Sequence, residues 1–193
     1  CGKTTITCAI LQALVNRKLC VNAQKCGPDY IDSMFHCRII GAKCSNLDSF
    51  FFDENTLKYL LQKNSKDCDV SVIEGVMGFY DGISMSSVKA STHEIAIITK
   101  SPVLLVVDAK GASRSVLAVI HGFLSFFPDN QICGVILNRC TLGTYNVLAS
   151  EIEKRFENKV KPLGFLPTLS DCTVESRHLG LVTADEIKDL KNK

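Results

Sequence analysis

Pro102 to Asp108 (PVLLVVD) is an apolar run without polar alternation, and so is Ile132 to Leu137 (ICGVIL). A strand with one wet face alternates apolar and polar residues, so a strand without alternation is covered on both faces. Helical spacing follows each run, over Ser113 to Phe127 after the first and Tyr145 to Phe156 after the second. This alternation predicts an α/β fold with a mostly parallel, doubly wound sheet.

The rest of the chain fits the same order. Ile6, Ala9, Ile10, Ala13 and Leu14 recur at helical spacing over Thr4 to Asn16. Leu19 to Ala23 reads as a short strand, Pro28 to Cys44 as loop plus helix, and Asn55 to Gln62 as helix. Asp69 to Glu74 (DVSVIE) is a strand tipped by a carboxylate, and Gly75 to Met85 is irregular. Thr92 to Thr99 is a short helix with Thr92 as its expected cap. Val160 to Phe165 is a last strand, and the charged tail from Asp185 reads as helical.

A chain of 193 residues supplies one domain with a full core. Its net charge of +2 gives no general attraction for nucleic acid or an acidic membrane. No apolar stretch is long enough to span a bilayer. The 10 cysteines have no CxxC spacing, and several, such as Cys8 and Cys133, lie in apolar surroundings. Buried, reduced thiols and a cytoplasmic setting are expected. His36, His93 and His121 show no metal-ligand spacing.

Six segments carry chemistry. Gly2-Lys3-Thr4 reads as the end of a phosphate-binding loop: amides at the helix start face phosphate, Lys3 reaches the β- and γ-phosphates, and the Thr4 hydroxyl holds Mg²⁺. The full motif has a strand and another glycine upstream, so a longer chain is expected. Lys25-Cys26-Gly27-Pro28-Asp29-Tyr30-Ile31-Asp32 follows a strand, where open α/β sheets bind ligands. Asp29 and Asp32 there suit Mg²⁺ or a positioned nucleophile; the plainer alternative is a turn at Asp29 and a cap at Asp32. Glu74 ends its strand where a second Mg²⁺ ligand would sit, ahead of the glycine-rich stretch to Gly82; a surface turn at Asp81-Gly82 is the alternative. Asp108 to Ser115 carries Arg114, suited to phosphate or carboxylate. Asn138 closes a strand and can pair with an adenine edge. Glu175 to Leu181 holds a lone His178.

Together these segments resemble the cobyrinate a,c-diamide synthase family: GKTT, KCGPDYID with Met34, Phe35 and His36, Asn46-Leu47-Asp48, EGVMGFYDG, VVDAKGASRS, GVILNR and ESRHLGLV, in the family's order. Ser33 departs from it where proline is expected. The resemblance implies a dethiobiotin-synthetase-like P-loop fold over residues 1–193. It also implies ATP- and Mg²⁺-dependent amidation of the a- and c-carboxylates of a corrin through acyl phosphates. Ammonia would come from a separate C-terminal glutaminase domain of the full-length chain, and a homodimer is implied. The segment itself is not expected to hydrolyse glutamine. The resemblance assigns Lys3, Lys25, Asp32 and Asp81 to catalysis. It assigns Gly2, Lys3, Thr4, Thr5, Asn138 and Arg139 to the nucleotide, and Thr4, Asp29 and Glu74 to the metal. Two other readings stay open: amidation of nickel sirohydrochlorin, and a partitioning-type ATPase switch.

Overall fold

The computed structural model describes residues 2–29, 32–33, 36–37, 40–157 and 159–169. The expected helices after Asp185 and the ESRHLGLV segment lie outside them. The chain divides into two compact units, the first over Lys3–Thr99, the second, among the described residues, over Gly2 and residues 100–157 and 159–169.

The first unit contains α1 (Lys3–Asn16), β1 (Val21–Cys26), β2 (Lys43–Leu47), α2 (Glu54–Ser65), β3 (Val70–Glu74) and α3 (Thr92–Thr99). Its strands form a parallel sheet in the order β2-β1-β3. The second unit contains β4 (Val103–Asp108), α4 (Ser115–Phe126), β5 (Ile132–Asn138), α5 (Leu142–Arg155) and β6 (Lys161–Leu166), with a parallel sheet in the order β4-β5-β6. Both sheets are parallel; the unbroken apolar runs are β4 and β5 of the second. Helix α1 packs on β1 and β3, α2 on β2 and α3, α4 on β4, and α5 on β6.

Parallel pairing brings the carboxyl ends of β1, β2 and β3 to one edge of their sheet. Lys25 is the register partner of Glu74, and Cys26 of Leu47. The floor beneath this edge is apolar: Cys26, Leu47, Leu57 and Ile95 form one buried cluster. A second cluster, Leu11, Val21, Ala23, Ile40 and Ala42, joins α1 to the sheet nearer its amino end.

Two strands differ from expectation. Strand β1 runs to Cys26 rather than ending at Ala23, and every residue in it is buried, Asn22, Gln24 and Lys25 included. Hydropathy ends the strand early because its last turns of sequence are polar side chains enclosed by protein. Strand β2 (KCSNL) falls where a helix and loop were expected; its one buried residue is Leu47, so it offers no apolar pattern.

Capping also differs. The Ser91 hydroxyl accepts from the amide of Glu94 (3.1 Å) and caps α3, not Thr92. The Thr92 hydroxyl instead accepts from the amide of Val76 (3.0 Å) and lies 3.2 Å from its carbonyl. Gly75 is required beside it, since a Cβ there would stand 2.7 Å from the Thr92 methyl. No disulfide links the described cysteines. Among the described cysteines only Cys26 and Cys140 are buried; Cys133 is exposed, contrary to the expected burial. Among the described residues no helix is long and apolar enough to cross a membrane.

Leu57 is fully buried under the carboxyl edge of the first sheet. Leu57→Ala should lower stability by about 2–5 kcal/mol through lost transfer energy and a cavity. Urea denaturation followed by circular dichroism measures this, and a loss below about 1 kcal/mol would contradict that packing.

Candidate functional site

At the carboxyl edge of the first sheet, four elements deliver polar side chains into one small volume. Strand β1 supplies Lys25, 3% exposed; β3 supplies Glu74, 2% exposed; the segment after β1 supplies Asp32, 5% exposed; α1 supplies Thr4. Lys25 Nζ donates to Asp32 Oδ2 at 2.7 Å and lies 3.1 Å from Glu74 Oε1. Asp29 Oδ2 stands farther off, at 3.9 Å. The Thr4 hydroxyl donates to Glu74 Oε1 at 2.7 Å and lies 3.3 Å from Asp32 Oδ2.

Each charge here depends on the others, because an isolated buried charge is strongly disfavoured. Burial alone would lower the pKa of Lys25, but Glu74 and Asp32 outweigh it and raise it above the ordinary lysine value. Burial pushes the Glu74 carboxyl up; contact with His36, the Lys25 charge and the Thr4 hydroxyl prevail and hold it below the ordinary value. Thus the His36 contact and then the Lys25 charge keep Glu74 ionised.

Lys3 begins α1, and its ammonium donates to the Met77 carbonyl at 2.6 Å. Burial and then repulsion from Lys25 lower its pKa, only partly opposed by Glu74, Asp32 and Asp81. Asp81 lies on the exposed turn after β3, where its carboxylate accepts from the amide of Gly78 at 2.8 Å. A turn is present, but it spans Gly78 to Asp81 rather than being centred on Asp81-Gly82, with the Asp81 amide donating to the Gly78 carbonyl at 3.1 Å. Thr5 lies in the first turn of α1, half-buried.

Asp29 shows a turn role as well. Its carboxylate accepts from the amide of Asp32 at 3.4 Å. Asn46, on β2, donates to the carbonyls of Gly27 (2.8 Å) and Asp29 (2.9 Å), and Gly27 takes a positive φ of 76°. Ser33, where proline was expected, places its hydroxyl 3.3 Å from the Asp29 carbonyl and 3.2 Å from Asn46 Oδ1. The departure therefore adds polar contacts to the same turn. Asp32 is no simple cap; it faces Lys25.

Asn138, Arg139 and Gly2 belong to the second unit. Asn138 Oδ1 accepts from the amide of Arg139 at 3.0 Å, and its side-chain nitrogen fills the space where a Gly2 side chain would stand. The Arg139 guanidinium holds Asp108 through two nitrogens, with Nε at 2.8 Å from Oδ1. Arg114 is exposed, 3.6 Å from Glu151, beside an open cavity bordered by Ser113, Thr144 and Val147.

From sequence, His36 and Asn46 had no assigned role and Thr92 only that of a helix cap. His36 is 1% exposed, and its Nε2 lies 3.0 Å from Glu74 Oε2. No pairing signal for it was legible in the sequence, because Glu74 lies far along the chain. Asn46 and Thr92 position loops, and a polar residue on a strand or at a helix start gives no such hint.

Thr4, Asp29, Asp32 and Glu74 present hard oxygen donors. Among the described residues no three His, Cys, Asp or Glu side chains form a preformed metal cage. That donor set fits Mg²⁺, which uses one or two protein oxygens and completes its shell with phosphate and water.

The sequence pattern described as the CobQ/CobB/MinD/ParA nucleotide binding domain matches residues 1–182. The chain belongs to this family. Within it, the chain is 44% identical to the cobyrinate a,c-diamide synthase of Listeria innocua over 193 residues, covering 100% of this chain and 42% of that protein. The synthase of Methanocaldococcus jannaschii is 43% identical over 194 residues, again 100% of this chain and 43% of the relative. That of Clostridium acetobutylicum is 42% identical over 192 residues, 100% and 43%. The chain thus spans less than half the length of these relatives. Among solved structures, the signal recognition particle 54 kDa protein of Aeropyrum pernix in complex with GDP superposes with a TM-score of 0.58. It is 17% identical and covers 86% of this chain and 39% of that one, a likeness of fold. The fold of this CobQ/CobB/MinD/ParA domain is that of a P-loop NTPase.

Lys25→Met should strand Glu74 and Asp32 and cost about 3–5 kcal/mol at neutral pH. Glu74 titrates below its ordinary value in the folded chain, so its contribution is full above that value and fades as pH falls through the lower one. Without Lys25 the folded value rises toward the ordinary one, so the variant should lose less stability on acidification and its deficit should narrow at acid pH. Denaturant midpoints from neutral to acid pH measure both effects; identical acid limbs would contradict the electrostatic coupling.

Proposed function

We propose that the chain is the ATP-binding synthetase domain of a cytoplasmic cobyrinate a,c-diamide synthase, acting with Mg²⁺ and with a glutaminase domain of the full-length protein. The observation that carries this is the buried Lys25–Asp32–Glu74–Thr4 cluster at the strand ends, beside a lysine that starts a helix. Whole-chain similarity to cobyrinate a,c-diamide synthases supports the substrate class.

A carboxylate resists amidation because oxide is a poor leaving group. In the proposed reaction a substrate carboxylate oxygen attacks the γ-phosphorus of ATP, ADP leaves, and an acyl phosphate remains. Ammonia then attacks the acyl carbon, its excess proton is lost, and phosphate departs with the C–O bonding pair. Two anions must meet in the first step, so cations and amide dipoles are needed around them. Lys3 and the amides opening α1 take the phosphates. Lys25 helps keep Glu74 ionised and is within reach of a carboxylate brought to the same edge. Thr4, Glu74 and Asp29 would hold Mg²⁺, which when bound neutralises phosphate charge. Asp32 and Asp81 orient substrate or ammonia, and the Gly75–Gly82 stretch shields the acyl phosphate from water. The assignments of Thr5, Asn138 and Arg139 to the nucleotide rest on the resemblance alone, as does the homodimer.

Incubation of the full-length protein with ATP, Mg²⁺, glutamine and either cobyrinate or nickel sirohydrochlorin, followed by mass measurement, tests the proposal. A diamide of cobyrinate is expected. A diamide of the nickel compound alone would move the substrate, and ATP hydrolysis with neither product would favour a nucleotide switch. Lys3→Ala should reduce amidation by at least about 10²–10³-fold, as loss of a transition-state charge contact does. Ordinary turnover by that variant would remove Lys3 from the phosphates.

A further inference from the structure

The proposed chemistry gives no task to several buried polar residues of the first unit, His36 among them. His36 is 1% exposed and stands on the segment after β1, yet it reaches across to the tip of β3. Its Nε2 lies 3.0 Å from Glu74 Oε2, in contact though not in a linear hydrogen bond. Glu74 has two oxygens with different surroundings. Oε1 serves Thr4 and Lys25, while Oε2 faces the imidazole. We propose that His36 is a positioning residue: it fixes the rotation of the Glu74 carboxylate by presenting an N–H to Oε2, so that Oε1 stays turned toward Thr4 and Lys25. This rests on the reading of Glu74 as part of the nucleotide and metal site.

The state of the ring follows from hydrogen-bond requirements. His36 Nδ1 is buried and has no hydrogen-bond partner among the described residues. A proton on Nδ1 would leave a buried N–H unmet and would set the Nε2 lone pair against a carboxylate lone pair. A proton on Nε2 alone avoids both penalties, since the unmet atom is then an acceptor. The ring thus offers Nε2–H rather than Nδ1–H toward Glu74.

The side chain also explains why its anchor is a histidine. Glu74 already meets a hydroxyl and an ammonium, both on the Oε1 side. With nothing at Oε2, the carboxylate could rotate about its terminal torsion, which is broad and roughly two-fold. A contact from a different chain segment removes that freedom, and it ties the Asp29–Asp32 turn to the strand that carries Glu74.

Glutamine tests this because its amide nitrogen stands close to the place of the imidazole Nε2, whereas the asparagine amide falls nearer the place of Nδ1. In the full-length protein, His36→Leu should weaken binding of a fluorescent ATP analogue in the presence of Mg²⁺ by about 10-fold or more, as loss of a partner that orients a metal-ligating group does. His36→Gln should restore most of that binding, and His36→Asn should not. In the metal-free protein, ¹⁵N spectra of His36 should show a protonated Nε2 and an unprotonated Nδ1. Equal Mg²⁺–nucleotide binding by wild type, Leu and Gln variants would overturn the proposal, as would an Nδ1-protonated ring. If the Leu variant fails to fold, the Gln and Asn pair and the wild-type spectrum still decide. Failure of the wild type to bind Mg²⁺–ATP at all would overturn the proposed function instead, leaving the ¹⁵N result as the measure of the His36–Glu74 contact.

Discussion

A lysine enclosed among carboxylates is the contact on which the edge of the first sheet depends. Lys25 Nζ stands 2.7 Å from Asp32 and 3.1 Å from Glu74, and all three side chains are buried. Two carboxylates this close, out of water, would repel and take up protons without a cation between them. The lysine helps hold Glu74 below its ordinary value, and the Thr4 hydroxyl at the start of α1 donates to it. Helix, strand tip and turn are therefore aligned by one ionic network. Such a network is weak evidence for stability, since apolar residues of equal volume often serve as well. Its position at the strand ends of a P-loop NTPase fold makes a functional cause the better explanation.

Much of this was legible in the sequence. The runs PVLLVVD and ICGVIL gave parallel strands because a strand covered on both faces has no polar alternation to hide. Lys25, Asp32 and Glu74 were found because each ends or follows a strand, which is where ligands collect. The strand β1 was placed too early because Gln24 and Lys25 look like solvent residues until their surroundings are known. Strand β2 was missed because only Leu47 enters the core. The role of His36 was hidden for a related reason: a single histidine carries no spacing, and its partner Glu74 is far along the chain. Asp29 and Asp81 show the limit of motif reading, for both also close local turns that any surface loop might use.

The loops around the cluster are held by groups that do not bear charge. Asn46 ties the Gly27–Asp29 turn to β2, and Thr92 ties Val76 to α3. The apolar floor of Cys26, Leu47, Leu57 and Ile95 fixes the strand ends beneath them. A rigid base with polar struts suits a site that must hold two anions together without rearrangement during the reaction. Membership of a nucleotide-binding family agrees with such a base, and the chemistry proposed for it asks only that phosphate and carboxylate arrive on the same edge.

The central claim is that Thr4 and Glu74 mark the place of the metal at this edge. Manganese substituted for magnesium, with a non-hydrolysable ATP analogue in crystals of the full-length protein, can be located by its anomalous scattering. The account predicts a manganese peak at coordination distance from the Thr4 hydroxyl, about 2.0–2.2 Å as for a hard octahedral cation, with Glu74 bound directly or through one water. A peak elsewhere, with Thr4 and Glu74 still joined to each other, would contradict it.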